Sequence, residues 1–316
     1  MKKILFICDP LENLKVQYDN TYSLMLAANE SNYEIHYCLP KDIYLTNNHV
    51  SCNCKKLSFH QNSYDIPDTT RIWYSETEYS TLNSSQFYAI MVRNDPPFNM
   101  EYYYLTQILH YAELCGSKVV NNSHALRNFN EKLSILNFPE LIINTMVSKS
   151  PSAINTFISQ HKDCIIKPLD LMGGRGVFKI SPTEINYGAI IETSTNYYTQ
   201  TVMLQKFIPE VVHGDKRIFV VNGEVIEYCL YRIPQINQIR GNIAAGGRGE
   251  VKKITEKDLK LANIVAKWLK HKNIVFAGLD VIGDYLTEIN ITSPTGTRQI
   301  HSKTRINIPK LVIEAL

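Results

Sequence analysis

Apolar positions in the first third of the chain come as short unbroken runs separated by stretches with helical spacing. Ile4 to Cys8 is a continuous apolar run, the mark of a strand buried on both faces. Tyr22 to Glu30 suits a helix, and Glu34 to Leu39 a second strand. Phe87 to Val92 is another apolar strand, stopped by Arg93-Asn94-Asp95-Pro96-Pro97-Phe98 with its two prolines. Met100 to Cys115 has helical periodicity and ends before Gly116, Lys118 to Asn121 is a short strand, and Ser123 is the expected cap of a helix reaching about Leu136. Asp42 to Ser85 is polar, rich in Asn and Ser, and predicts short strands mixed with loops. Strands alternating with helices predict an α/β fold with a parallel sheet.

A second unit opens near Leu141. The pattern predicts a strand over Leu141 to Val147, a helix over Ala153 to His161, a strand over Cys164 to Asp170 and another over Val177 to Ile180. Between the last two lies the loop Leu171-Met172-Gly173-Gly174-Arg175-Gly176. Thr201 to Ile208 reads as a strand running into Pro209. Asp215-Lys216-Arg217 opens a hairpin through Ile218 to Val221, the turn Asn222-Gly223 and Glu224 to Arg232. Ile233 to Glu250 is long, holds four glycines, and carries Arg240 and Arg248, which predicts a lid or a linker. Thr255 caps an amphipathic helix to His271. The tail from Thr297 is basic through Lys303 and Arg305 and then helical.

The stretch Gly278 to Pro294, GLDVIGDYLTEINITSP, predicts a hairpin around Gly283-Asp284. Asp280, Glu288 and Asn290 are oxygen donors of the kind a hard cation such as Mg²⁺ takes. Glu288 and Asn290 are two apart and share a face. A two-residue turn pairs Asp280 with Thr287, whereas a three-residue turn, Gly283 to Tyr285, pairs Asp280 with Glu288. A metal site requires the second, bulged arrangement. An amphipathic hairpin with a wet polar face is the other reading.

Composition changes this picture little. The 316 residues, 44% hydrophobic and 20% charged, are enough for two or three globular domains. A net charge of +3 gives no support to a nucleic-acid or polybasic membrane partner. The seven cysteines are scattered, with Cys52 and Cys54 closest, and read as free thiols in a reducing compartment. No run approaches the ~20 apolar residues of a membrane span, and the start lacks a signal-peptide core, so a cytoplasmic location is expected.

Several residues offer chemistry. Glycines at 173, 174 and 176 allow backbone N–H groups close to phosphate oxygens, with Lys167 on the incoming strand, although a plain hairpin turn has the same composition. Arg93, at a strand end, suits a carboxylate clamp or a surface terminus. Neither G-x-G-x-x-G nor G-x-x-x-x-G-K-[ST] occurs in the first unit.

In combination these features are more specific. The stretches MVRNDPPFN, VNNSHALRNFNEKL, IIKPLDLMGGRGVF, GDKRIFVVNGEVIEYCLYRIPQ, RGNIAAGGRGE and GLDVIGDYLTEINITSPT follow one another from Met91 to Thr295. With them the chain resembles the ATP-grasp ligases, and more closely the bacterial glutathione synthetases. The resemblance implies an N-terminal parallel-sheet (pre-ATP-grasp) domain over 1–122, then an α+β ATP-grasp domain over 123–316, with a lid subdomain about 141–208 and a flexible loop about 233–249. It implies a ligase that uses ATP to join γ-glutamylcysteine to glycine through an acylphosphate, with two Mg²⁺ ions (Mn²⁺ as an alternative), in a cytoplasmic homotetramer. It implies that Lys132, Lys167, Gly173 and Gly174 hold ATP phosphates, that Gln205, Lys206, Phe207 and Ile208 form the adenine hinge, and that Asp215 and Arg217 support the nucleotide site. Asp280, Glu288 and Asn290 would bind the metal, Arg232 would face the reacting acyl group, Arg240 would lie on the lid, and Arg93, Ser293 and Thr295 would sit at the substrate.

Three departures stand out. Leu171 replaces the first glycine of the family's loop, Asn94 replaces a lysine after Arg93, and Arg298 to Arg305 is basic where the family is acidic and apolar. A ligase with another donor or acceptor, and a nucleotide-binding protein without catalysis, are the competing readings.

Overall fold

The computed structural model describes residues 1–16, 18–60, 73–236, 238–241 and 246–316. In chain order the elements are β1 (Lys3–Cys8), α1 (Asn20–Glu30), β2 (Glu34–Cys38), β3 (Ile43–Thr46), β4 (His49–Phe59), β5 (Tyr74–Asn83), β6 (Ala89–Arg93), α2 (Met100–Leu114), β7 (Val119–Val120) and α3 (Ser123–Asn128). Then follow β8 (Thr145–Ser148), α4 (Pro151–His161), β9 (Cys164–Pro168), β10 (Phe178–Ile180), α5 (Tyr187–Ser194), β11 (Val202–Lys206), β12 (Asp215–Val221) and β13 (Glu224–Ile233). The chain finishes with β14 (Arg248–Lys253), α6 (Glu256–His271), β15 (Phe276–Ile282), β16 (Tyr285–Asn290), α7 (Thr297–Thr304) and α8 (Ile308–Glu314).

The first sheet runs β3-β4-β2-β1-β6-β7, with β5 also on β4. Its β2, β1, β6 and β7 strands are parallel, and β1 is buried from Ile4 to Cys8, as its apolar run requires. The antiparallel strands β3, β4 and β5 extend it. The polar segment 42–85 is therefore mostly long strands rather than short strands and loops, with residues 61–72 outside the described residues. On β4 the inward positions are Val50, Cys52, Cys54 and Leu57, so two thiols occupy apolar core positions. Among the seven cysteines, each a free thiol, Cys115 alone is exposed.

The helix expected from Ser123 to Leu136 is split. Asn122, not Ser123, is its cap, accepting from the Ala125 N–H at 2.8 Å. The helix ends because the Asn130 side chain takes the N–H groups of Lys132 and Leu133 at 3.0 and 3.1 Å, a local turn that competes with helix. A four-stranded sheet, β10-β9-β11-β8, follows, and α5 packs on it. The five-stranded antiparallel sheet β14-β13-β12-β15-β16 forms the last layer, with α6 on one face capped by Thr255 as its sequence predicts. Arg248 lies on β14 opposite Ile233 and ion-pairs with Glu250, so it belongs to a strand and not to a lid. Residues 237 and 242–245 of the predicted lid lie outside the described residues.

The tail folds back. Ile300, Ile308, Val312 and Ile313 share one core with Ile4, Phe6, Tyr22 and Leu24. Of the basic departure, Arg298 is absorbed internally, donating to the Val16 carbonyl and standing over the Tyr22 ring, while Lys303 and Arg305 are exposed. No helix among the described residues is long and apolar enough to cross a membrane.

Candidate active site

Period-two alternation decides what faces the cavity. On β12, Asp215 and Arg217 point to one side and Lys216 to the other. Lys216 turns toward α6, donating to Asp258 at 2.5 Å and to the Gly283 carbonyl at 2.7 Å. Arg217 is paired in register with Asp280 of β15, and Asp215 with Arg232 of β13. Asp280 thus receives Arg217 bidentately, Nε to Oδ1 at 2.5 Å and Nη2 to Oδ2 at 3.0 Å, and Arg232 at 2.8 Å. Arg232 also holds Asp215. Burial pushes the Asp280 carboxyl up, but the two guanidiniums outweigh it and hold it well below the usual carboxylate range. Asp215 goes the other way, raised by burial that Arg232 only partly offsets.

The hairpin settles the question of register. Asp280 pairs with Glu288 and Gly278 with Asn290, so Asp280, Glu288 and Asn290 share a face. The turn, however, has two residues, Gly283 and Asp284, with Ile282 opposite Tyr285. The irregularity expected in the turn sits instead at Thr287, which is looped out between the Val281–Leu286 and Asp280–Glu288 pairs. Thr287 Oγ1 donates to the Asp280 carbonyl at 3.1 Å, and the Thr287 carbonyl accepts from Lys167 Nζ at 3.2 Å.

Two buried lysines complete this end. Lys132 Nζ lies 3.0 Å from Glu288 and donates to the Leu171 carbonyl at 2.6 Å. Burial disfavours its charge, yet Glu288 beside it leaves the pKa above the ordinary lysine value. Lys167 lacks so close a carboxylate, and burial lowers it to about 8. In the loop above them Gly173, Gly174 and Gly176 all have positive φ, and a Cβ on Gly176 would meet Pro168 Cγ at 2.8 Å. Leu171 is not among the residues with positive φ, so the missing glycine imposes no strain.

A cavity of about 730 Å³ joins these groups. Lys132, Lys167, Gly173, Gly174, Gln205 through Ile208, Asp215, Arg217, Arg232, Arg240, Asp280, Glu288, Asn290, Ser293 and Thr295 all line it. Gln205 is buried and donates to Thr145 Oγ1 at 3.0 Å. Arg240 is exposed at the mouth, and the adjoining Gly241 passes so near the Arg232 carbonyl that a Cβ there would lie 2.2 Å from it. Thr295 accepts from Arg217 through its carbonyl at 3.2 Å, and Ser293 Oγ donates to Asp95 at 2.5 Å.

Arg93 stands apart from the lining residues. It is buried, with Nε on Thr21 Oγ1 at 3.3 Å, Nη1 on the Thr292 carbonyl at 3.3 Å and Nη2 on the Pro294 carbonyl at 3.4 Å. It braces the segment 292–294 rather than presenting its fork to the cavity. Neighbouring Asn94 is also buried, and its Oδ1 has no partner among the described residues.

Among the lining residues given no site role from the sequence are Glu131, Asp95 and Thr287. Glu131 and Thr287 bind the backbone of other segments, and Asp95 accepts from the Ser293 hydroxyl. The adjacency of Glu131 to Lys132 was the only local signal for it.

Comparisons with known proteins identify the family. The family described as "Prokaryotic glutathione synthetase, ATP-grasp domain" matches residues 131–305, and "Prokaryotic glutathione synthetase, N-terminal domain" matches 2–127. The chain belongs to the prokaryotic glutathione synthetase family. Relatives of that family include glutathione synthetases of Neisseria meningitidis serogroup A, 40% identical over 99% of this chain and 98% of that protein, and of Vibrio vulnificus strain YJ016, 41% identical over 100% and 97%. A crystal structure of a D-cycloserine synthetase is similar in fold, with a TM-score of 0.69 at 13% identity over 99% of this chain and 98% of the other.

Proposed function

We propose that this chain joins γ-L-glutamyl-L-cysteine to glycine at the expense of ATP, giving glutathione, ADP and phosphate. The observation that carries the reading is the pairing of Asp280 with Glu288, flanked by Arg217, Arg232, Lys132 and Lys167 in one cavity, in a chain that matches the family along its length.

A carboxylate and an amine do not condense unaided, because the carboxylate is a poor electrophile. Transfer of the γ-phosphoryl group to the cysteinyl carboxylate makes an acylphosphate, whose phosphate then leaves as glycine's amine attacks. Such chemistry needs charge neutralisation and in-line positioning. Lys132 and Lys167 supply positive charge to the phosphates beneath the glycine loop, each exchanging a carbonyl partner for a phosphate oxygen. The N–H groups of Lys206 and Phe207 are taken by the Asn144 and Asp163 carbonyls, leaving the Ile208 N–H as the next donor along the adenine hinge. Arg232 Nε is a buried donor with no acceptor among the described residues, a spare hydrogen bond for the tetrahedral oxyanion. Arg240 and Gly241 cover the mouth and keep water from the acylphosphate.

The donor set fits a divalent cation. Asp280, Glu288 and Asn290 present oxygens on one face, and Asp215 Oδ1 is a buried acceptor without a partner among the described residues. An oxygen-only set of this kind suits Mg²⁺, an ion that keeps waters and shares substrate phosphates. Two Mg²⁺ ions held by Asp280, Glu288 and Asn290 would neutralise phosphoryl charge during transfer. The same reading assigns 1–122 to a substrate-binding domain and 123–316 to the ATP-grasp domain, and makes the enzyme a cytoplasmic homotetramer.

The test is ADP release with Mg·ATP and γ-glutamylcysteine, with and without glycine, and product mass. Glycine-dependent release yielding glutathione, lost in Glu288→Ala, is expected. Absence of both ADP and tripeptide overturns the reading. The alternative, a different donor or acceptor in a chain where Asn94 stands in place of the family's lysine, would be identified by a panel of amino acids.

A further inference from the structure

The tripeptide Asn130-Glu131-Lys132 touches three parts of the cavity: the glycine loop and the residues leading into it, the strand bearing Glu288 and the segment that follows it. Asn130 Nδ2 donates to the Leu169 carbonyl at 2.9 Å, just before the glycine loop. Lys132 reaches the loop itself at Leu171 and the metal-binding strand at Glu288. Glu131 does more. Its backbone carbonyl accepts the Ile289 N–H at 2.9 Å. Its side-chain Oε1 accepts the Ile291 N–H at 2.8 Å, the Thr292 N–H at 2.9 Å and Thr292 Oγ1 at 2.8 Å. Glu131 thus grips the chain on both sides of Asn290. It does so in the interval where the strand bearing Glu288 and Asn290 becomes the strap bearing Ser293 and Thr295.

Keeping an acid at this buried position is costly, and the three hydrogen bonds to one carboxylate oxygen offset part of that cost. The group lies beside Glu288, and burial and that neighbour raise its pKa in spite of the donors from Thr292. A packed apolar side chain would satisfy a core position more cheaply, but would leave the N–H groups of Ile291 and Thr292 unpaired. Arg93 and Asn20 hold the far side of the strap, at the Thr292 and Pro294 carbonyls. The strap's N–H edge has Glu131, and its carbonyl edge has the N-terminal segment.

We propose that Glu131 is a positioning residue that fixes Asn290 and the Thr292–Thr295 strap relative to one another, so that the metal oxygens and the acceptor site are set by one side chain. Its Oε1 is the acceptor that joins these N–H and O–H groups. The inference rests on the ligase reading above, and the wild-type assay separates the two: no glutathione from the wild type would remove the ligase reading, while the binding measurements below test Glu131 by themselves.

The experiment compares Glu131→Gln, Glu131→Ala and Thr292→Val. Mn²⁺ binding to the protein with ADP is measured by electron paramagnetic resonance, beside ADP binding without metal and the KM for glycine. Glu131→Gln keeps an acceptor oxygen and is expected within about threefold of wild type, as hydrogen bonds to a retained acceptor persist. Glu131→Ala is expected to weaken Mn²⁺ binding and raise the glycine KM by about tenfold or more, the value of one lost bond of this strength. Its metal-free ADP affinity is expected to be unchanged. Thr292→Val, which deletes one of the three bonds and is the milder change should Glu131→Ala not fold, is expected to shift the same two quantities by a smaller factor. Unchanged Mn²⁺ binding in folded Glu131→Ala or Thr292→Val would overturn the proposal. So would Glu131→Gln behaving as badly as Glu131→Ala.

Discussion

Asp280 lies directly across the ladder from Glu288 because Thr287 is looped out between them and the turn. In a regular ladder with this two-residue turn Asp280 would face Thr287, and the two carboxylates would point to opposite sides of the sheet. The looped residue is held by two bonds, its hydroxyl on Asp280 and its carbonyl under Lys167.

Lys167 gives a pH dependence with a definite sign. Burial lowers its pKa from the ordinary 10.5 to about 8. A phosphate partner needs the ammonium, so kcat/KM for ATP, which reports the free enzyme, should fall as pH rises through about 8. Lys167→Arg, charged throughout, should remove that inflection. Linkage runs the other way for folding: the unfolded chain binds the extra proton between about 8 and 10.5, so this lysine's burden on stability is full below pH 8 and lifts across that window. Chemical denaturation of wild type and Lys167→Met across pH 7–10 would show the difference shrinking with pH.

Asp280→Asn should damage the fold as well as activity. It leaves Arg217 and Arg232 buried against a neutral amide, and breaking one side of a buried ion pair costs about 3–5 kcal/mol. Thermal or urea unfolding measures this. Combining it with Arg217→Gln should recover part of the loss, and strict additivity of the two changes would contradict the coupling.

The glycine loop yields a contrast. Gly176→Ala places a methyl against Pro168 at a positive φ, so it should lower stability by about 1 kcal/mol or more and weaken nucleotide binding. Leu171→Gly, which restores the family's residue where φ is not positive, should leave the KM for ATP within about twofold, because no backbone strain is relieved. ATP titrations of both variants decide it.

Much of the site was legible because its residues are local to strong patterns. Asp215, Arg217, Asp280, Glu288 and Asn290 sit on apolar-alternating strands, where facing follows from spacing. What was not legible depended on tertiary partners. The turn signal Gly283-Asp284 was read as part of a longer turn because nothing local reports the bulge at Thr287. Asn122 and Ser123 are both competent caps, and the choice is made by Glu113, which takes Ser123, and by the Lys272 and Asn273 carbonyls, which hold Asn122. The strand Arg248–Lys253 is polar throughout, as edge strands often are, and is defined by its pairing with β13. Arg93 looked available because its acceptors, the Thr292 and Pro294 carbonyls, lie some 200 positions downstream.

The folding back of α7 and α8 onto α1 bears on how the protein is made. Asn20 holds the Pro294 carbonyl across 274 positions of sequence, and Ile308, Val312 and Ile313 close the core that Phe6, Tyr22 and Leu24 begin. During synthesis α1 therefore emerges with the apolar side that α8 will cover still open, and that side stays open until residues 308–313 have left the ribosome. The molecule matures last where it started first, and that early face is the surface on which a nascent-chain chaperone has the longest time to act.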